Sequence, residues 1–232
     1  MHPSFNEHQA REEICRVGKS LFDRGYVHAT AGNISVKLDN GFLITPTDAC
    51  LGFLDPAKLA RLDSHGHQTS GDKASKTIAL HRSIYAASHA HQTRLGAATR
   101  CVIHTHSTHC VALSLRAQDE ELLAPITPYF VMKVGHVPHI EYHLPGAPEA
   151  AQAVAKAIEV YAQKNLRVRA VMLSRLGPNV WHDSPTQAMA TLEELEETAK
   201  LIALNGSFNA APMQVLNEPQ IDELRHQFNA SW

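Results

Sequence analysis

Apolar residues recur along this chain at two periods, and the switches between them mark out its elements. Ala10, Ile14, Val17 and Leu21 fall at steps of four, three and four, which predicts one helical face over residues 6–24. Gly25 then supplies the left-handed residue that closes such a helix. NISVKL and GFLIT, split by Asp39-Asn40-Gly41, predict a hairpin with an Asn-Gly turn. LARLDSHGHQTSG predicts a further strand pair around a polar turn. A helix capped by Ser75 carries Ile78, Ala79, Leu80, Ile84 and Tyr85.

CVIHTH is a short buried strand, and STHCVALSLRA after it begins a helix capped by Ser107 or Thr108. Residues 148–162 read as a helix with Pro148 in its first turn, and RAVML and PNVW as strands around the turn SRLG. The last long helix is capped by Ser184, opens on Pro185 and ends before Gly206. Its Ala188, Met189, Leu192, Leu195, Ala199 and Ile202 share one apolar face, and Glu193, Glu194, Glu196 and Glu197 are expected on the solvated side. The whole is one α/β domain with strands in the middle and helices on its faces, and only the tail from Asn205 looks peripheral.

Composition narrows the function classes. The 232 residues are 44% hydrophobic and 19% charged with a net charge of −2, which gives no electrostatic case for nucleic acid or an anionic membrane. No apolar run approaches the roughly 20 residues that span a bilayer. The amino-terminal segment MHPSFNEHQAREEICR is too charged for a signal peptide, and Cys15, Cys50, Cys101 and Cys110 form no C-x-x-C pair. A reduced, cytoplasmic setting is the expectation.

Sixteen histidines raise the expectation of a metal or acid–base site. His104 and His106 alternate on a strand and so point the same way, a compact clamp for a divalent ion. The bland alternative is a pair of satisfied core or surface histidines. His109 falls on the following helix, and His89 and His91 repeat the spacing at a helix end, where they read as surface. Gly32-Asn33 lies between a helix and a strand, where backbone amides can approach an anion. Thr45, Thr47 and Asp48 close a hairpin strand, and Ser75-Lys76 opens a helix whose dipole favours a phosphate. Taken singly, these are an ordinary turn glycine, strand end and helix cap.

Their order is more specific than any one of them. GNIS, TPTD, a serine–lysine helix start, VIHTHSTH, PYFVM and RLGPNVW together resemble the class II aldolase/adducin family from about residue 10 to residue 204. GDKASK, CLGFLDP, ITPYFVMKVGHVP and LEELEETAKLI look like its branch of 3-oxo-tetronate 4-phosphate decarboxylases. The resemblance implies a three-layer α/β/α domain over 1–204 around a mostly antiparallel sheet, followed by a partly helical extension over 205–232. It implies a zinc ion, or manganese or cobalt, on His104 and His106, with a phosphorylated sugar acid as substrate. Gly32, Asn33, Thr47, Asp48, Ser75 and Lys76 would hold the phosphate. Tyr129 would reach a neighbouring subunit's site in a homotetramer.

Two positions depart from the family pattern. Its catalytic glutamate falls on Thr77, and its third metal histidine falls on Leu176 in the turn Ser174-Arg175-Leu176-Gly177. Neither residue can replace the chemistry of the group it stands for. Candidates to complete a metal shell are His109, His28, His136, His139, Glu141 and His143, and Arg175 is a candidate for a substrate carboxylate or phosphate. Decarboxylation needs no base to start it, so it tolerates the loss at Thr77 better than an aldol cleavage would. A pseudoenzyme that keeps the phosphate pocket without catalysis is the alternative.

Overall fold

The computed structural model describes residues 6–91, 98–116, 120–208 and 213–232. Its centre is an eight-stranded sheet in the order β4-β3-β2-β1-β5-β8-β7-β6. The strands are β1 (Asn33–Leu38), β2 (Gly41–Ile44), β3 (Ala60–Leu62), β4 (Gln68–Ser70), β5 (Cys101–His104), β6 (His139–Ile140), β7 (Ala170–Leu173) and β8 (Gly177–His182). Every neighbouring pair is antiparallel except β6 and β7. This is the mostly antiparallel α/β fold expected from the sequence.

The period-two alternation sorts the strand residues onto two cores. Ile34, Val36, Cys101, Ile103, Ala170, Met172 and Val180 face one side. There they meet α1 (Glu7–Asp23) and α6 (Pro185–Phe208), with α3 (Thr108–Ser114) and α4 (Pro128–Lys133) beside them. Val102, Val171, Leu173 and Trp181 face the other side and meet α2 (Ile78–Ala90) and α5 (Pro148–Gln163). A last helix, α7 (Glu218–Phe228), precedes the carboxyl terminus. There Trp232 packs its ring against Phe130 at 5.7 Å and His136 at 4.4 Å.

Several local expectations need correction. Helix α2 starts at Ile78 rather than at Ser75, and Ser75 caps nothing, because its hydroxyl pairs with that of Thr77 at 2.9 Å. The strand CVIHTH ends at His104, so His106 lies just beyond it. Helix α6 runs through Gly206 to Phe208, although Ser184 does bond its first turn through Gln187 N–H at 3.3 Å. The expected end of the α3 helix at Ala117 and tail residues 209–212 lie outside the described residues.

The largest correction concerns Glu196, which is 3% exposed and not solvated. Its carboxylate accepts the backbone N–H groups of His109 at 2.9 Å and Cys110 at 3.0 Å, and it bonds His109 Nδ1 at 2.8 Å. A carboxylate borrowed from α6 thus caps α3, whose own Ser107 makes no side-chain cap.

Candidate functional site

The end of β5 is held between two glycines. A Cβ on Gly32 would lie 2.9 Å from the His104 carbonyl oxygen, and one on Gly177 would lie 1.9 Å from that of Thr105. Gly177 has φ near 140° and Gly32 near 84°, so each supplies both a close approach and a backbone conformation that side chains disfavour. The bare backbones let β1 and β8 close on β5 at the point where its histidines emerge.

His104 is buried, and its Nδ1 lies 3.0 Å from the Pro178 carbonyl oxygen. A carbonyl only accepts, so Nδ1 carries the proton and Nε2 presents its lone pair. Burial pushes this imidazole down to about 4, with a smaller effect from His106. Burial also lowers His106, and His28 lowers it further. Both rings are therefore neutral near pH 7, the form that ligates metal.

The ring centroids of His104 and His106 stand 5.0 Å apart. Two imidazoles that each hold one ion at about 2.0–2.1 Å would have centroids roughly 4.5–5.2 Å apart across octahedral to tetrahedral shells. The separation of the pair falls within that range. His28, exposed and 6.4 Å from His106 by the same measure, falls outside that spacing. Among the described residues no group of three His, Cys, Asp or Glu side chains forms a metal-holding set.

The two histidines open into a cavity of about 340 Å³. Gly32, Asn33, Thr47, Asp48, Ser75, Lys76 and Thr77 line it together with them, although with the histidines they come from four separate stretches of chain. Leu176 also lines it, beside Leu173 and the Leu144–Ala151 segment that leads into α5. The amino end of α2 meets the cavity at Thr77, Ala79 and Leu80 and brings its positive dipole end there. Lys76 and that helix end make one anion-favouring wall, and the leucines and alanines make an apolar one.

Other residues singled out from the sequence lie elsewhere. Tyr129 is 62% exposed on α4, and Arg175 is exposed at φ near 65°, its N–H bonded to Ser114 Oγ at 3.1 Å; neither lines the cavity. His109 is committed to Glu196 and His136 to Glu121 at 2.8 Å. None of the six residues named to complete a metal shell lines the cavity. Sequence reasoning missed Asn179, which is fully buried and does line it. The signal available was a polar residue inside the short strand PNVW.

A three-layer domain with a paired-histidine cavity at the strand ends is a class II aldolase-like architecture. Residues 12–203 match the class II aldolase and adducin N-terminal domain family, and the chain belongs to that family. It is 49% identical to a 3-oxo-tetronate 4-phosphate decarboxylase of Cupriavidus necator over 97% of this chain and 99% of that one. It is 31% identical to an L-fuculose phosphate aldolase of Methanococcus vannielii, covering 85% of this chain and 98% of the other. The crystal structure of YgbL from Klebsiella pneumoniae superposes with a TM-score of 0.81 at 38% identity, over 95% of this chain and all of that one. No helix among the described residues is long and apolar enough to cross a membrane.

Proposed function

We propose that this chain is a carbon–carbon lyase that converts a 3-oxo-tetronate 4-phosphate to dihydroxyacetone phosphate and carbon dioxide. One observation carries the reading: the paired neutral histidines share a single cavity with Lys76, the Gly32-Asn33 turn and the amino end of α2. The similarity to named decarboxylases along nearly the whole chain supports it.

Lys76, the helix dipole and the Gly32-Asn33 segment receive the phosphate and so fix the acid end of the substrate toward His104 and His106. A divalent ion on the two histidines, zinc by expectation, would act as a Lewis acid toward the keto oxygen. The bond that breaks joins the carboxylate carbon to C2, and its electron pair moves toward the neighbouring keto group as carbon dioxide leaves. C2 then takes up a proton. No base is needed to begin, which accommodates Thr77 at the position of the family's glutamate. Tyr129, exposed and outside its own cavity, returns the proton to a neighbouring subunit's substrate in a homotetramer in this reading, and water is the alternative donor. Arg175 is the candidate for the substrate's carboxylate or phosphate although it does not line the cavity, so Arg175→Ala is expected to weaken substrate affinity and leave metal affinity unchanged.

Carbon dioxide release and dihydroxyacetone phosphate formation, measured together with zinc, manganese or cobalt present, test the assignment. Equal yields are expected, with turnover lowered by about 100-fold or more in His104→Ala. No release with any of the three metals would sink it. Thr77 and Leu176 on the cavity wall favour one competing reading, a pseudoenzyme. That reading predicts phosphosugar binding without release in the same assay.

A further inference from the structure

Asn33 of β1 and Asn179 of β8 are the in-register partners of His104 on either side of β5. Residues directly opposite across antiparallel strands project from the same face, with Cβ atoms about 4.5–5.5 Å apart. Asn33, His104 and Asn179 therefore form one polar row across three strands, and all three line the cavity. The next row on that face is Ser35, Val102 and Trp181, so the polar row stands at the margin of an apolar core.

Asn179 has no exposed surface, and neither its Oδ1 nor its Nδ2 has a hydrogen-bond partner among the described residues. Asn33 Oδ1 is also unpartnered among the described residues, but only Asn179 is unpartnered at both ends of its amide. A buried amide unpaired at both ends is destabilising unless a ligand or an ordered water satisfies it. A carboxamide oxygen is a hard donor suited to divalent cations, and two neutral imidazoles stand in the same row and just beyond it.

We infer that Asn179 is the third protein ligand of the ion held by His104 and His106, binding through Oδ1. Its Nδ2 then faces the oxygen atoms of whatever else the ion holds. The donor set becomes two nitrogens and one carbonyl oxygen, harder than three imidazoles, which favours manganese relative to zinc. The inference rests on the metal reading above.

Metal-free protein is titrated with zinc, manganese and cobalt by calorimetry, with the cobalt visible spectrum as a second readout. The variants are His104→Ala, Asn179→Leu and Asn179→Asp. Asn179→Leu removes the unpaired amide at nearly equal volume, so it should melt no lower than the wild type without metal. It should bind metal about 10–100-fold more weakly and show an altered cobalt spectrum. Asn179→Asp, with a charged oxygen at the same place, should bind at least as tightly as the wild type. Wild-type affinity in Asn179→Leu overturns the inference. If Asn179→Leu does not fold, weaker binding in a folded Asn179→Asp overturns it instead. Binding that survives in Asn179→Leu but is lost in His104→Ala leaves the metal reading standing. A wild type that binds none of the three metals removes both.

Discussion

The histidines of this chain separate by what surrounds their ring nitrogens. His104 Nδ1 lies against the Pro178 carbonyl, His109 and His136 are committed to carboxylates, and His81 bonds Ser35 Oγ at 2.7 Å, its Nε2 without a partner among the described residues. Burial pushes the His81 imidazole down to about 3, with His104 adding to the effect. The unfolded chain accepts that proton near pH 6.5, about where a free imidazole titrates, and the folded chain refuses it. Stability should therefore rise with pH from about 3 to about 6.5, by up to ~1.4 kcal/mol per pH unit from this residue, and level off above. Urea unfolding of the wild type and His81→Leu at about pH 4.5, 5.5 and 7 checks this, and the variant should lose part of the acid slope. In the sequence, His81 is one histidine among sixteen. Only the alternation of His104 and His106 carried chemistry there, because strand period fixes a shared face without knowledge of neighbours. Asn179 acquires meaning only from its register against His104, and pairing between strands 75 residues apart leaves no local trace.

Helix α3 illustrates an element whose end is satisfied from outside. Removing the Glu196 carboxylate leaves two backbone N–H groups and His109 without their acceptor. Glu196→Ala should lower stability by about 2–4 kcal/mol in denaturant unfolding, and Glu196→Gln by less, since an amide oxygen still accepts. Because α3 follows directly on the His104–His106 segment, the same variant should also weaken metal binding. The position was partly legible. Glu196 is four residues after Leu192 and three before Ala199, which places it on the buried face of α6 by spacing alone. The surrounding run of glutamates, read as composition, pointed the other way. The start of α2 was misjudged for a related reason: Ser75 has a capping side chain, but its hydroxyl is taken by Thr77. The hairpin, the β3–β4 pair and helices α1 and α5 followed from local pattern, the strands from turn residues between short runs and the helices from one apolar stripe each. The two-residue strand β6 is too short to show any period.

At the scale of the whole molecule, the two faces of the sheet divide the work. The face under α1 and α6 is continuous apolar core, and the face under α2 and α5 carries the polar row and the cavity. Residues outside the cavity report on assembly. If Tyr129 serves a neighbour, Tyr129→Phe and His104→Ala should each be poorly active alone. Dissociated and reassembled together, they should regain activity in mixed oligomers; no recovery would place both residues in one subunit's site. The carboxyl terminus also closes back on the fold through Trp232, Arg225 Nε bonding its carbonyl at 2.8 Å and Ser231 Oγ accepting Arg167 N–H at 2.7 Å. Deleting residues 229–232 should lower stability by about 2–4 kcal/mol in thermal or denaturant unfolding. Gly32 and Gly177, which flank the His104–His106 segment, have a consequence for tracing the lineage of such sites. Thr77 and Leu176 only line the cavity, so their side chains can drift while the frame stays rigid. The glycines admit no such drift, because any side chain there would force the strands apart. A search for further chains of this kind should anchor on the two glycines and leave the ligating positions free.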